Sequence, residues 1–113
     1  MAVKKIMVVF FATALGAEPV RDWLKALDKA DRLRIGEDIR TVEFGWPIGM
    51  PVCKPLGQGL YEVRSALKNR IARVLFGIVD DEMVLLHGFI KKSQTTPKDD
   101  LALARKRLKA YRS

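Results

Sequence analysis

One cysteine and one histidine stand in a chain of 113 residues. A lone Cys53 excludes an intramolecular disulfide, and together with His87 it supplies too few ligands for a cysteine- or histidine-based metal site. Carboxylates paired at metal-ligand spacing are also missing, so no metal and no cofactor is expected. Single-cysteine usage fits a reducing cytosol, and a cytoplasmic protein is expected. No apolar run approaches the roughly 20 residues of a membrane-spanning helix. Ile6–Leu15 is apolar behind Lys4-Lys5, but it is short and runs straight into the helix-like EPVRDWLKAL without a cleavage site, so a buried first strand is expected there rather than a signal peptide. A phosphate-cradling glycine loop is missing too: PLGQGLY has only Gly57 and Gly59, and no helix follows it. A serine or cysteine triad would have to draw on His87 and Cys53, with nothing in the sequence to orient them. Internal repeats, low-complexity tracts and flexible linkers are all absent.

What is present is an ordinary apolar fraction, 49%, with 30% charged residues and a net charge of +8. Length and composition predict a single folded domain spanning residues 1–113 with one modest core. The charge is unevenly placed. Residues 1–53 carry 8 Lys/Arg against 7 Asp/Glu, a net of +1, whereas residues 54–113 carry 13 against 6, a net of +7. A basic half favours nucleic acid, anionic lipid or an acidic protein partner.

Lys5–Ala12 is a continuously apolar, β-rich run, which predicts a strand covered on both faces or central in a small sheet. Glu18-Pro19 then opens a helix with Val20, Trp23, Leu24 and Leu27 on one stripe. A second helix is predicted from about Asp31 to Phe44, with Leu33, Ile35, Ile39 and Val42 as its apolar positions. The two make a helical hairpin. GWPIGMPVCKP, with Pro47, Pro51 and Pro55, is expected to be an ordered loop anchored by Trp46 and Ile48.

Three strands follow: Leu60–Leu67, Ile71–Val79 and Met83–Ile90. Short connections, one of them VDDE, predict an antiparallel meander. Thr96 is expected to N-cap a last helix with Pro97 at its first position, Asp99-Asp100 at its positive end and Leu101, Ala104, Leu108 and Tyr111 on its apolar face. The predicted fold is α+β, ordered β-α-α-β-β-β-α, with the hairpin on one face of a small twisted, antiparallel-rich sheet and the other face more open.

Charges recur inside the strands, at Glu62, Arg64, Arg73 and Lys91/Lys92, with His87 nearby. A strand period of two puts Glu62 and Arg64 on one face, opposite Tyr61 and Val63. Cations with one carboxylate and one imidazole suit RNA cleavage at the 2′-hydroxyl. That reaction needs a base, a cation for the crowded phosphorane and an acid for the leaving 5′-oxygen. By spacing alone, a surface ion pair of Glu62 with Arg64 or Arg73 serves equally well. A buried structural histidine is likewise as good an account of His87, given its neighbours Leu85, Leu86 and Phe89.

The segments LYEVRS, RIARVLF, VLLHGFIKKSQTTP and ALARKR resemble the RelE/ParE superfamily of toxins, and within it the HigB-like, phage-derived branch. The likeness spans Lys54 through Arg107, about half the chain. It implies a RelE-like fold and a type II toxin–antitoxin toxin that cleaves mRNA on the ribosome without a metal. The likeness implies a cognate antitoxin with a helix-turn-helix DNA-binding region, in a toxin–antitoxin hetero-oligomer. Arg64 falls where such toxins place a basic strand residue, and Arg73 falls at the arginine that meets the scissile phosphate. Lys91 and Lys92 fall at the basic pair after the last strand. Glu62 stands where RelE has lysine and agrees with the HigB-like pattern, so Glu62, His87 and a lysine such as Lys92 all stand as candidates for proton transfer. Lys54, Lys91, Arg105 and Lys106 are candidates for holding RNA. The ParE-like branch, which poisons DNA gyrase by contact, and an inactive toxin-like binding protein are the alternatives.

Overall fold

The structure, a computed structural model, describes residues 3–91 and 95–113. Its elements are β1 (Met7–Phe10), α1 (Pro19–Lys25), α2 (Lys29–Gly45), β2 (Cys53–Gly57), β3 (Leu60–Leu67), β4 (Arg70–Val79), β5 (Glu82–Lys91) and α3 (Lys98–Arg112). The sheet order is β1-β5-β4-β3-β2. β3, β4 and β5 form the expected meander, turned by the two-residue loops Lys68-Asn69 and Asp80-Asp81. Asn69 and Asp80 adopt left-handed backbone there, which Asn and Asp tolerate better than other side chains do.

Two expectations about the sheet's rims are corrected. β1 is an edge strand, parallel to β5, rather than a central one. Its free side is held by α2: Glu43 Oε2 accepts the Val8 N–H at 2.8 Å, and the Glu43 carbonyl accepts those of Lys5 and Ile6. At the opposite edge, the proline-rich loop yields a strand that the sequence reading missed. Cys53–Gly57 pairs antiparallel with β3, and Pro55 is admissible because an edge strand has one side without a ladder. Trp46 anchors the loop before it, edge-on to Tyr61 at 4.9 Å, and Tyr61 belongs to the core as expected.

The helical hairpin covers one face of the sheet. Val20, Ile35, Ile39 and Val42 pack there against Val63, Val74, Phe76, Met83 and Leu85. Leu33 is not on that stripe and is 56% exposed, because Ile35, Ile39 and Val42 lie at i, i+4 and i+7 whereas Leu33 lies two residues out of phase. α3 covers the other face in part, with Ala104 and Leu108 on Leu60, Leu75, Val84 and Leu86. Leu108 lies so close to Gly77 that a Cβ there would fall 2.5 Å from it. α3 begins one residue later than expected. Pro97 takes the N-cap position without a side-chain cap bond, because the Thr96 hydroxyl points elsewhere, to Glu62.

Candidate active site

Strand registry gathers the charged residues on the α3 face. Lys54 stands opposite Glu62, and Glu62 opposite Leu75. Arg64 stands opposite Arg73, and Arg73 opposite Phe89. A bulge in β5 then decides where the histidine goes. Phe76 pairs with Leu85 and Leu75 pairs with His87, leaving Leu86 as the extra residue. Before the bulge, Met83 and Leu85 face the hairpin; strict alternation would have sent His87 after them. The inserted residue turns His87 and Phe89 to the α3 face, the kind of re-aiming that bulges produce. His87 therefore sits across Leu75 from Glu62, two strand spacings or roughly 10 Å away, and diagonal to Arg73.

These groups differ sharply in access. Arg73 and Glu62 are buried, at 0% and 1% exposure. Glu62 Oε2 lies 3.9 Å from Arg73 Nη1, and Oε1 lies 3.7 Å from Arg64 Nε. The Thr96 hydroxyl donates to Glu62 Oε2 at 2.7 Å. Arg64 is part-exposed and reaches the edge of the sheet. It borders a cleft of about 340 Å³ whose walls include Arg34, Met50, Pro51, Val52 and Ile71. His87 is also part-exposed. Its Nε2 lies 2.6 Å from Asp100 Oδ1 in the first turn of α3, and its ring stacks on Phe89 with centroids 5.4 Å apart.

The structure thus brings together Glu62, Arg64, Arg73, His87 and Lys54, and it adds two residues that the sequence reading did not place in the site, Thr96 and Asp100. The sequence marks Asp100 only as a complement to the helix dipole, and nothing in its spacing from His87 signals their contact. Lys92 and the side chain of Lys91 lie outside the described residues. Arg105 has a structural engagement in place of an open one. Its guanidinium donates to the carbonyls of Leu56 and Gly57 and to Gln58 Oε1, clamping α3 to the β2–β3 turn. Lys106 beside it is exposed. Arg107, partly desolvated so that its pKa falls, donates to the Leu86 carbonyl at 2.7 Å. Among the described residues, no group of three His, Cys, Asp or Glu side chains could hold a metal ion.

The family described as phage derived protein Gp49-like (DUF891) matches residues 22–109. The chain belongs to this family. The Gp49-like family is a RelE/ParE-like toxin family, and its match spans every residue of the site just described. Membership supports a toxin of the toxin–antitoxin kind, and a toxin family implies an antitoxin partner. The observed strands and helices are compatible with the RelE-like fold expected from the sequence. No curated protein matches the chain. No described helix is long and apolar enough to cross a membrane.

Proposed function

We propose that this Gp49-like protein is a HigB-like toxin that cleaves mRNA on the ribosome and so stops translation. The observation that carries the reading is the single sheet face that holds a cluster of two arginines and a carboxylate and, two strands across, a histidine, in a chain whose second half has a net charge of +7. In such a cleavage the 2′-oxygen attacks phosphorus as its proton leaves, the P–O5′ bond breaks, and the products are a 2′,3′-cyclic phosphate and a 5′-hydroxyl. Side chains can serve this reaction by moving protons and neutralising the phosphorane.

Exposure divides the labour. Arg64 is the arginine that a phosphate meets first, and guanidinium suits phosphate because its fork binds two oxygens at once. The cleft beside it gives a flanking nucleotide an apolar wall at Met50, Pro51 and Val52. Arg73, wholly buried, adds positive charge from beneath the surface in a medium where charge is poorly screened. The cognate antitoxin, expected to carry a helix-turn-helix DNA-binding region, neutralises the toxin by covering this basic face.

Expression of the toxin without antitoxin should arrest translation and leave mRNA fragments with 5′-hydroxyl ends. Arg64→Ala should lower cleavage by about 10²-fold or more, the scale of removing one transition-state charge contact, and Arg73→Ala, which removes a buried charge that touches no substrate atom, should lower it less. Intact mRNA in arrested cells would sink the nuclease reading. Intact mRNA together with a DNA-damage response would point instead to gyrase poisoning of the ParE-like kind.

A further inference from the structure

The nuclease reading leaves Glu62, His87 and a lysine as rivals for the proton, and the structure separates the first two. Glu62 has 1% exposure. Its Oε2 takes the Thr96 hydroxyl, and both oxygens lie near guanidinium groups. A carboxylate so enclosed holds the sheet face together and is out of reach of a substrate hydroxyl. His87 differs on each count. Its side chain and that of Asp100 are 18% and 20% exposed, and the two are joined at 2.6 Å.

Resting on that reading, we propose that Asp100 is a positioning residue. It accepts the Nε2–H of His87, fixes that tautomer, and leaves Nδ1 as the base that takes the 2′-hydroxyl proton of the RNA. Three features of the fold support the pair. The bulge at Leu86 brings the imidazole to the α3 face. The stacked Phe89 ring fixes the plane of the imidazole from one side. Pro97 and the first turn of α3 set the backbone that carries Asp100. Among the described residues Nδ1 makes no hydrogen bond. The tautomer of a histidine is set by the bond that its other nitrogen makes, and a buried or half-buried carboxylate in that position also stabilises the imidazolium once it forms.

Nδ1 accepts the 2′-hydroxyl proton while the 2′-oxygen–phosphorus bond forms. The P–O5′ bond breaks, and water supplies the proton to the 5′-oxygen. The imidazolium then returns its proton to water. Among the described residues, charged groups beside the strand neighbours of His87 include Arg107 of α3, which donates to the Leu86 carbonyl, and Glu62 with its arginines across Leu75.

The test combines nitrogen-15 NMR of the full chain with ribosome-programmed mRNA cleavage. The wild-type spectrum should show His87 protonated on Nε2 and bare on Nδ1. Asp100→Asn should slow cleavage by at least about 10-fold and by up to about 10⁴-fold, the loss seen when the carboxylate orienting a general-base histidine becomes an amide. Asp100→Glu should restore most of that loss. His87→Gln should be slower still. A wild-type tautomer with the proton on Nδ1 would overturn the proposal even if Asp100→Asn fails to fold, and so would full-rate cleavage by a folded Asp100→Asn. Wild-type protein that leaves mRNA intact overturns the nuclease reading and this proposal together. Cleavage by the wild type that is indifferent to position 100 overturns this proposal alone.

Discussion

The Thr96 hydroxyl donates to Glu62 Oε2 across 2.7 Å, so the chain entering α3 is fastened to a carboxylate that the sheet has almost fully enclosed. Glu62 is thereby tied at once to the approach to α3 and to two arginines, Arg64 at 3.7 Å and Arg73 at 3.9 Å. Removing one member of a buried ion pair leaves its partner's charge poorly compensated, at a cost of about 3–5 kcal/mol. Glu62→Ala should therefore lower stability by several kcal/mol. Thr96→Val, which removes one hydrogen bond, should cost only about 1–2 kcal/mol. Urea denaturation of the purified chain would measure both. Equal midpoints for wild type and Glu62→Ala would mean that the carboxylate does not anchor this face.

The basic residues of α3 should divide by role. Arg105 is engaged with three oxygens of the β2–β3 turn, so Arg105→Ala should cost about 1–3 kcal/mol of stability and leave the salt dependence of RNA binding nearly unchanged. Lys106 is exposed. Lys106→Ala should stay within about 0.5 kcal/mol of wild-type stability and reduce the salt slope of RNA binding by about 1 if it meets a phosphate. Binding isotherms from low to high salt, paired with melting curves, distinguish the two roles. The reverse assignment would show that the clamp on the turn is incidental.

Much of this fold was legible because its signals were local. The meander announced itself in Leu60–Leu67 and the two runs after it, where branched residues were interrupted by turn chemistry at Asn69 and Asp80. The helical hairpin followed from the stripe through Val20 and Trp23 and from Ile35, Ile39 and Val42. β2 was hidden because three prolines dominate that stretch, and a short edge strand tolerates the proline that a central one would not. The site was legible only in its charges. Parity placed Glu62 and Arg64 on a common face, but the face of His87 depends on a one-residue bulge that leaves no mark in a run as uniformly apolar as MVLLHGF. Asp100 and Thr96 reach the site through the docking of α3, a tertiary event that no local period encodes.

Gly88 marks a close approach of α1 to the sheet. A Cβ at that position would lie 2.4 Å from the Trp23 ring, and Gly88 stands opposite Val74 on the hairpin face. Gly88→Ala would force the indole or the whole of α1 outward, an overpacking cost of about 1–3 kcal/mol. The double variant with Trp23→Leu should recover part of that loss, since the smaller side chain vacates the space. A Gly88→Ala protein as stable as wild type would show that α1 is not seated on β5 as described.

Cys53 sets an alkaline limit on the protein's stability. The thiol is buried at the start of β2, opposite Val63. Burial, and then the nearby charge of Glu62, pushes its pKa from the ordinary value up to about 11. The folded state thus holds the proton more tightly than the unfolded chain, where a cysteine titrates at roughly 8.5. The resulting stability is fully present below the unfolded value and is lost as pH rises from there toward about 11. Denaturation midpoints should decline across that window, and Cys53→Ala should flatten the decline even if it lowers the plateau. Tyr111 adds a contribution of the same sign, because its hydroxyl donates to Glu82, and the hydrogen bond, then burial, raise its pKa. Tyr111→Phe in the Cys53→Ala background should remove it. The raised thiol pKa also implies slow alkylation of native protein at neutral pH, since the thiolate is the nucleophile. Iodoacetamide labelling should be slow in buffer and rapid in denaturant. Rapid labelling of the native chain would show that β2 opens readily from β3 and that the thiol is not held in the environment that raises its pKa.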